Sequence, residues 1–163
     1  MTDAAANTAL IDRFYGAFAR RDHATMASLY HPEAHFRDPA FGDLNGPEIT
    51  AMWRMLCEGG ADLRLTHAEV RATEDAGAAR WEARYTFGQT GRPVINRISA
   101  RFRFRDGLIV DHVDTFSFWQ WSAQAMGPVG QALGWSPLLR SVVRRRALQR
   151  LRRYREAGGE TPG

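Results

Sequence analysis

The chain has 163 residues, 44% of them hydrophobic and 25% charged, which is enough for one sizeable core and too little for two domains. The N-terminus has neither the basic nor the apolar run of a secretory leader, and no stretch approaches a membrane span, so the expected address is the cytoplasm. A lone cysteine, Cys57, permits no intrachain disulfide and suggests no cysteine-based zinc site. The net charge of +4 is unevenly spread: residues 1–139 hold 14 Arg against 16 acids, residues 140–163 hold 8 Arg against 2, and there is no Lys.

Leu10, Ile11, Phe14, Tyr15 and Phe18 recur at helical spacing and predict an amphipathic helix ending near Arg20-Arg21. Asp22 is placed to cap a second, shorter helix carrying Met26, Leu29 and Tyr30 and closed by His31-Pro32. A short strand then ends at Asp38-Pro39, because a residue before proline is pushed from the helical region toward extended geometry. Alternation puts Asp38 on the face of Phe36, where a carboxylate is costly unless it is hydrogen-bonded, neutral or facing a cavity. Asp38 is therefore the leading candidate for a catalytic carboxylate, with a turn-former capping nearby amides as the other reading.

A turn-rich segment leads to Pro47 at the first position of a third helix, capped by Asn45 or Gly46, striped by Ile49, Met52, Trp53 and Leu56, and stopped by Gly59-Gly60. From Asp62 the period becomes that of strands: Leu63-Leu65, then Trp81 to Phe87, then Val94, Asn96, Ile98, Ala100, Phe102 and Phe104. Turn chemistry lies between them at Asp75-Ala76-Gly77, Gln89 to Pro93, and Arg105-Asp106-Gly107. The last strand is expected to show Leu108, Val110, His112, Asp114 and Phe116 on one face. Helices first and a curved antiparallel sheet second make the class α+β.

These residues carry a resemblance. Phe14 to Gly46, with Asp22, Met26 to Tyr30 and Phe36-Arg37-Asp38-Pro39, and the hairpin Asp106 to His112, resemble the nuclear transport factor 2-like superfamily. That superfamily includes SnoaL-like polyketide cyclases, ketosteroid isomerase and limonene epoxide hydrolase. Within it, the segment Phe116-Ser117-Phe118-Trp119-Gln120-Trp121 is most similar to bacterial SnoaL-like proteins. The resemblance implies a cone-shaped barrel over residues 1–121, in which a strongly bent, mostly antiparallel sheet wraps the N-terminal helices around a pocket. It also implies a small hydrophobic molecule as ligand and, in many members, a homodimer.

In ketosteroid isomerase the base is an Asp followed by Pro, and Asp38-Pro39 matches it. Phe14 and Ala100 stand where that enzyme has its oxyanion donors, which argues against steroid isomerase activity of that kind. The Arg-x-Asp pair of the epoxide hydrolases reads Asn96-Arg97-Ile98-Ser99, so that triad is incomplete. If the cone closes, Asp38, Asn96, His112 and Asp114 converge on a cavity walled by Phe14, Phe18, Trp53, Tyr85, Phe102 and Phe116. Asp38 then acts as base in isomerase, cyclase or hydrolase-type chemistry on a hydrophobic carbonyl or polyketide-like compound, His112 supplies the proton or steadies the oxyanion, and Asp114 orients the imidazole or acts as a second carboxylate. The competing expectation is a non-catalytic ligand-binding or dimeric scaffold, with His112 a satisfied structural histidine. No metal and no cofactor is expected.

Beyond Trp121, Ser136 caps and Pro137 opens an Arg-rich helical arm within residues 122–157. Its apolar arcs, residues 138–143 and 147–154, are expected to be out of line. A solvated basic face on an arm packed against the body is favoured over contact with nucleic acid or anionic membrane. Residues 158–163 read as a disordered tail.

Overall fold

The computed structural model describes residues 3–158. Helix α1 (Ala4–Ala19) starts where the Asp3 carboxylate accepts the Ala6 amide. It buries Ile11, Phe14, Tyr15 and Phe18 against the sheet. Helix α2 (His23–Ser28) is capped by Asp22 on the Thr25 amide and ends at Leu29, one turn before the expected stop. Tyr30, placed on that helix by spacing, instead opens strand β1 (Tyr30–Asp38), and His31-Pro32 lie inside the strand. Proline is tolerated there because the ladder of β1 with the last strand shifts between Tyr30 and His35, so no regular hydrogen bond is asked of its missing N–H.

The expected turn-rich segment contains a short strand, β2 (Gly42–Asn45), antiparallel to β1 with Leu44 buried. Helix α3 (Pro47–Gly59) begins at Pro47 after Gly46 and ends on Gly60. Strands β3 (Arg64–Ala72), β4 (Ala76–Phe87), β5 (Arg92–Arg105) and β6 (Leu108–Thr115) follow as an antiparallel meander. The sheet order is β2-β1-β6-β5-β4-β3, with β1 and β6 its single parallel pair. Residues of β5 alternate strictly between buried and exposed, with Val94, Asn96, Ile98, Ala100, Phe102 and Phe104 inside as expected.

Strand β6 departs from strict alternation. Arg103 pairs with Asp111 but Phe104 pairs with Ile109, leaving Val110 as the extra residue of a bulge. Ile109, His112 and Asp114 are buried, so Leu108 and Val110 do not share their face as strict alternation predicted. The bulge lets Ile109 enter the core without moving His112 out of it.

Two short helices, α4 (Phe118–Met126) and α5 (Pro128–Leu133), precede the arm helix that Pro137 opens, and the boundary expected at Trp121 falls within α4. A side chain on Gly130 would meet the Ser122 carbonyl, which is why α5 folds back so closely on α4. Strand β6 is shorter than β5, and the Gln124 side chain bonds both the N–H and the C=O of Ile95 on the stretch left uncovered.

Helix α6 (Pro137–Ala157) starts with the Ser136 hydroxyl accepting the Leu138 amide. It runs as one helix and, contrary to the expected mismatch of arcs, seats a single stripe of Val143, Ala147, Leu151 and Tyr154. The Tyr154 hydroxyl donates to the Glu58 carboxylate at the end of α3. Of the expected disordered tail, Gly158 is the cap of α6 and residues 159–163 lie outside those described. Among the described residues no helix is long and apolar enough to cross a membrane.

Candidate functional site

A cavity of about 470 Å³ lies between the inner face of the sheet, α3 and α6. Of the residues expected to converge, Asp38, Asp114, Asn96, Phe18, Trp53, Tyr85 and Phe116 line it. Phe14, Phe102 and His112 do not. Phe14 and Phe102 pack in the core around the imidazole, their ring centroids 5.7 and 4.4 Å from it, and His112 itself is fully buried. The rest of the wall is mostly apolar, with Met52, Met55, Leu56, Trp81 and Ile98 from the body and Val143 and Ala147 from α6.

Asp38 occupies the end of β1, where Pro39 forces the chain to leave the strand. Its Oδ1 accepts the amides of Ala40 at 2.9 Å and Phe41 at 2.5 Å, closing the turn that returns as β2. Gly42 completes the turn at φ 72°, and Arg144 of α6 lies against it so closely that a Cβ there would sit 2.9 Å from the guanidinium Nε. The turn-capping role and the place on the cavity wall are thus held by one carboxyl. Burial pushes it up to about 7. The Asp114 charge adds to the rise, while the two amides and Arg144 hold it down. Replacing Arg144 by Gln is expected to move the Asp38 midpoint above 7 while leaving the turn intact, a shift read directly from the carboxyl ¹³C resonance against pH.

Behind the wall runs a line of hydrogen bonds whose direction follows from its first member. The Trp53 indole N–H can only donate, and it donates to the Tyr30 oxygen at 2.9 Å. Burial, reinforced by Asp114, holds the Tyr30 hydroxyl well above its ordinary value despite that bond, so it keeps its proton. That proton goes to His112 Nδ1 at 2.7 Å. The imidazole proton is therefore on Nε2, which donates to Asp114 Oδ1 at 2.9 Å. The imidazole holds Asp114, and the carboxylate rather than the ring faces the cavity, which is the place of a second carboxylate and not of a group behind the ring.

On the same wall, the Tyr85 hydroxyl accepts the Trp121 indole N–H at 2.7 Å, and among the described residues its own proton has no acceptor. Burial raises this hydroxyl, and the Asp38 charge contributes to the rise. Trp81, also on this wall, has a buried Nε1 donor without a partner among the described residues. Arg97, in the strand position of the epoxide-hydrolase pair, points outward and bonds Glu82.

Sequence reasoning missed Tyr30, because His31-Pro32 reads as a helix stop. It also missed Trp121 as the partner of Tyr85, and the contribution of α6 to the wall. For the last, the signal is the spacing of Val143, Ala147, Leu151 and Tyr154, which the arginines between them obscure.

Comparisons with known proteins agree with this fold. An M. tuberculosis LEH-like epoxide hydrolase superposes with a TM-score of 0.65 at 15% identity, covering 80% of this chain and 97% of that one. A candidate SnoaL-like polyketide cyclase from Jannaschia sp. CCS1 gives 0.68 at 14% identity, covering 78% and 96%. IdmH, a candidate polyketide cyclase from Streptomyces antibioticus, gives 0.59 at 25% identity, covering 71% and 94%. Among curated proteins none matches the sequence. The SnoaL-like domain model matches residues 11–112, from the first buried turn of α1 to the histidine behind the cavity, and the chain belongs to that family.

Proposed function

We propose that the cavity takes a small hydrophobic carbonyl compound and that Asp38 is its acid-base group, in chemistry of the isomerase or cyclase type. The observation that carries this reading is a carboxyl held near 7 on a mostly apolar wall, where it can both take and return a proton at neutral pH. The Asp38 carboxylate removes a proton from the carbon next to the carbonyl. The C–H electron pair becomes the C=C bond of the enolate, and the carbonyl π pair moves to oxygen. The Tyr85 hydroxyl, held by Trp121, is a donor available to that oxygen. Asp114, held by His112, is the second carboxyl of the wall.

A second reading, a binding domain without turnover, is favoured by the two amides that Asp38 Oδ1 already accepts. The two separate in D₂O with 2-decanone as probe, following loss of its α-protons by NMR. The enzyme reading expects wild type to accelerate exchange, and Asp38→Asn to lose about 100-fold or more of that rate with unchanged probe affinity. Exchange at the buffer rate in wild type, or unaltered in the variant, leaves the binding domain.

A further inference from the structure

The two sides of the cavity carry opposite charge. Asp38 and Asp114 stand on the sheet side, and Arg146 and Arg150 reach the cavity from α6. These arginines are four residues apart, so they project from one helix face beside the stripe of Val143, Ala147 and Leu151. Their exposure places them at the solvent end, where the Arg150 guanidinium lies near Gly59 at the close of α3.

Neither has an acidic partner among the described residues, whereas Arg37, Arg80, Arg84, Arg97 and Arg105 on the body are each paired with Asp or Glu. Of the carboxylates at this end, Asp62 accepts the Thr86 amide, and Glu58 accepts the Tyr154 hydroxyl and pairs with Arg54. Two like charges one turn apart with nothing between them disfavour the helix unless an anion joins them.

From this polarity we infer that the ligand is an amphipathic anion whose oxyanion, a carboxylate or phosphate, is held between Arg146 and Arg150 while its apolar body fills the cavity. The opposite orientation would set the anion beside Asp38 and Asp114. Bound this way round, the ligand presents its uncharged far end to the inner wall. The inference rests on the cavity being a ligand site, not on the acid-base role of Asp38.

The test uses sodium dodecanoate and methyl dodecanoate, one chain with and without the charge, titrated calorimetrically below micelle concentrations at about pH 8. Wild type is expected to bind dodecanoate roughly tenfold or more tighter than the ester, with the preference shrinking as salt rises from about 50 to about 500 mM. Arg146→Gln/Arg150→Gln should abolish the preference and leave ester affinity unchanged. Arg145→Gln/Arg152→Gln, on the far face of α6, should retain it. Dodecyl phosphate, run in parallel, distinguishes the two oxyanions. Equal affinity for acid and ester in wild type, a preference that survives the Arg146/Arg150 change, or no binding of either probe overturns the inference. Asp38→Asn should keep the preference whatever it does to proton exchange, so failure of the acid-base reading and failure of this one are told apart.

Discussion

In Asp38→Asn, the fall in unfolding free energy between about pH 4 and pH 7 should disappear, leaving the variant more stable than wild type by about 2–4 kcal/mol at pH 8 and equal to it near pH 4. The sign follows from the direction of the shift. The carboxyl titrates near 7 when folded and near the ordinary carboxylate value, about 3.9, when unfolded. Between those values the folded chain binds more protons, so stability drops by about 1.4 kcal/mol per pH unit until the folded midpoint is passed. The lower end of the range allows for solvent reaching a half-buried group. Asn keeps an oxygen for the Ala40 and Phe41 amides, so the turn is preserved.

Other groups act outside the decisive window. Asp22, Asp43, Glu58, Asp62 and Glu82 are all lowered by hydrogen-bond partners, so their stabilisation is present above the unfolded values and is lost only on acidification through the folded ones. His35, raised chiefly by its bond to Asp111, stabilises fully below about 6.5 and loses that contribution as pH rises through its folded midpoint. Urea unfolding of both proteins at several values between about pH 4.5 and 6 therefore isolates Asp38. Parallel curves would mean that the carboxyl is solvated and is no acid-base group.

Asp38 was legible in the sequence because its signals are local: proline fixes the strand end, and alternation selects the face. The inner row of β5 was legible for the same reason. Alternation gives the inward face of His112 correctly but not its depth, because its covering partner Tyr30 comes from a strand that His31-Pro32 disguises as a helix end. A side chain's place on a wall or one layer behind it depends on which residue of another strand reaches its polar atoms. The stripe of α6 was hidden for a different reason. Arg146 and Arg150 interrupt the apolar pattern on the very face that meets the cavity, so a reading by hydrophobicity alone splits one face into two.

His112→Leu should cost about 3–5 kcal/mol, although it exchanges one side chain for another of similar bulk within an aromatic nest, where an apolar swap alone usually costs under about 1.5 kcal/mol. The excess arises from what is left behind. The Tyr30 proton loses its acceptor, and Asp114, 4% exposed, loses its donor. If that loss dominates, adding Asp114→Leu removes the uncompensated carboxylate, and the double variant recovers about 2 kcal/mol over His112→Leu alone. The cycle of His112→Leu and Asp114→Leu, measured by urea unfolding at neutral pH, should then show a coupling of about 1.5–3 kcal/mol. Additivity within about 0.5 kcal/mol would mean that solvent in the cavity satisfies Asp114 as well as the imidazole does. The hydrogen bonds running from Trp53 through Tyr30 would then hold the core together without fixing the carboxylate that faces the ligand.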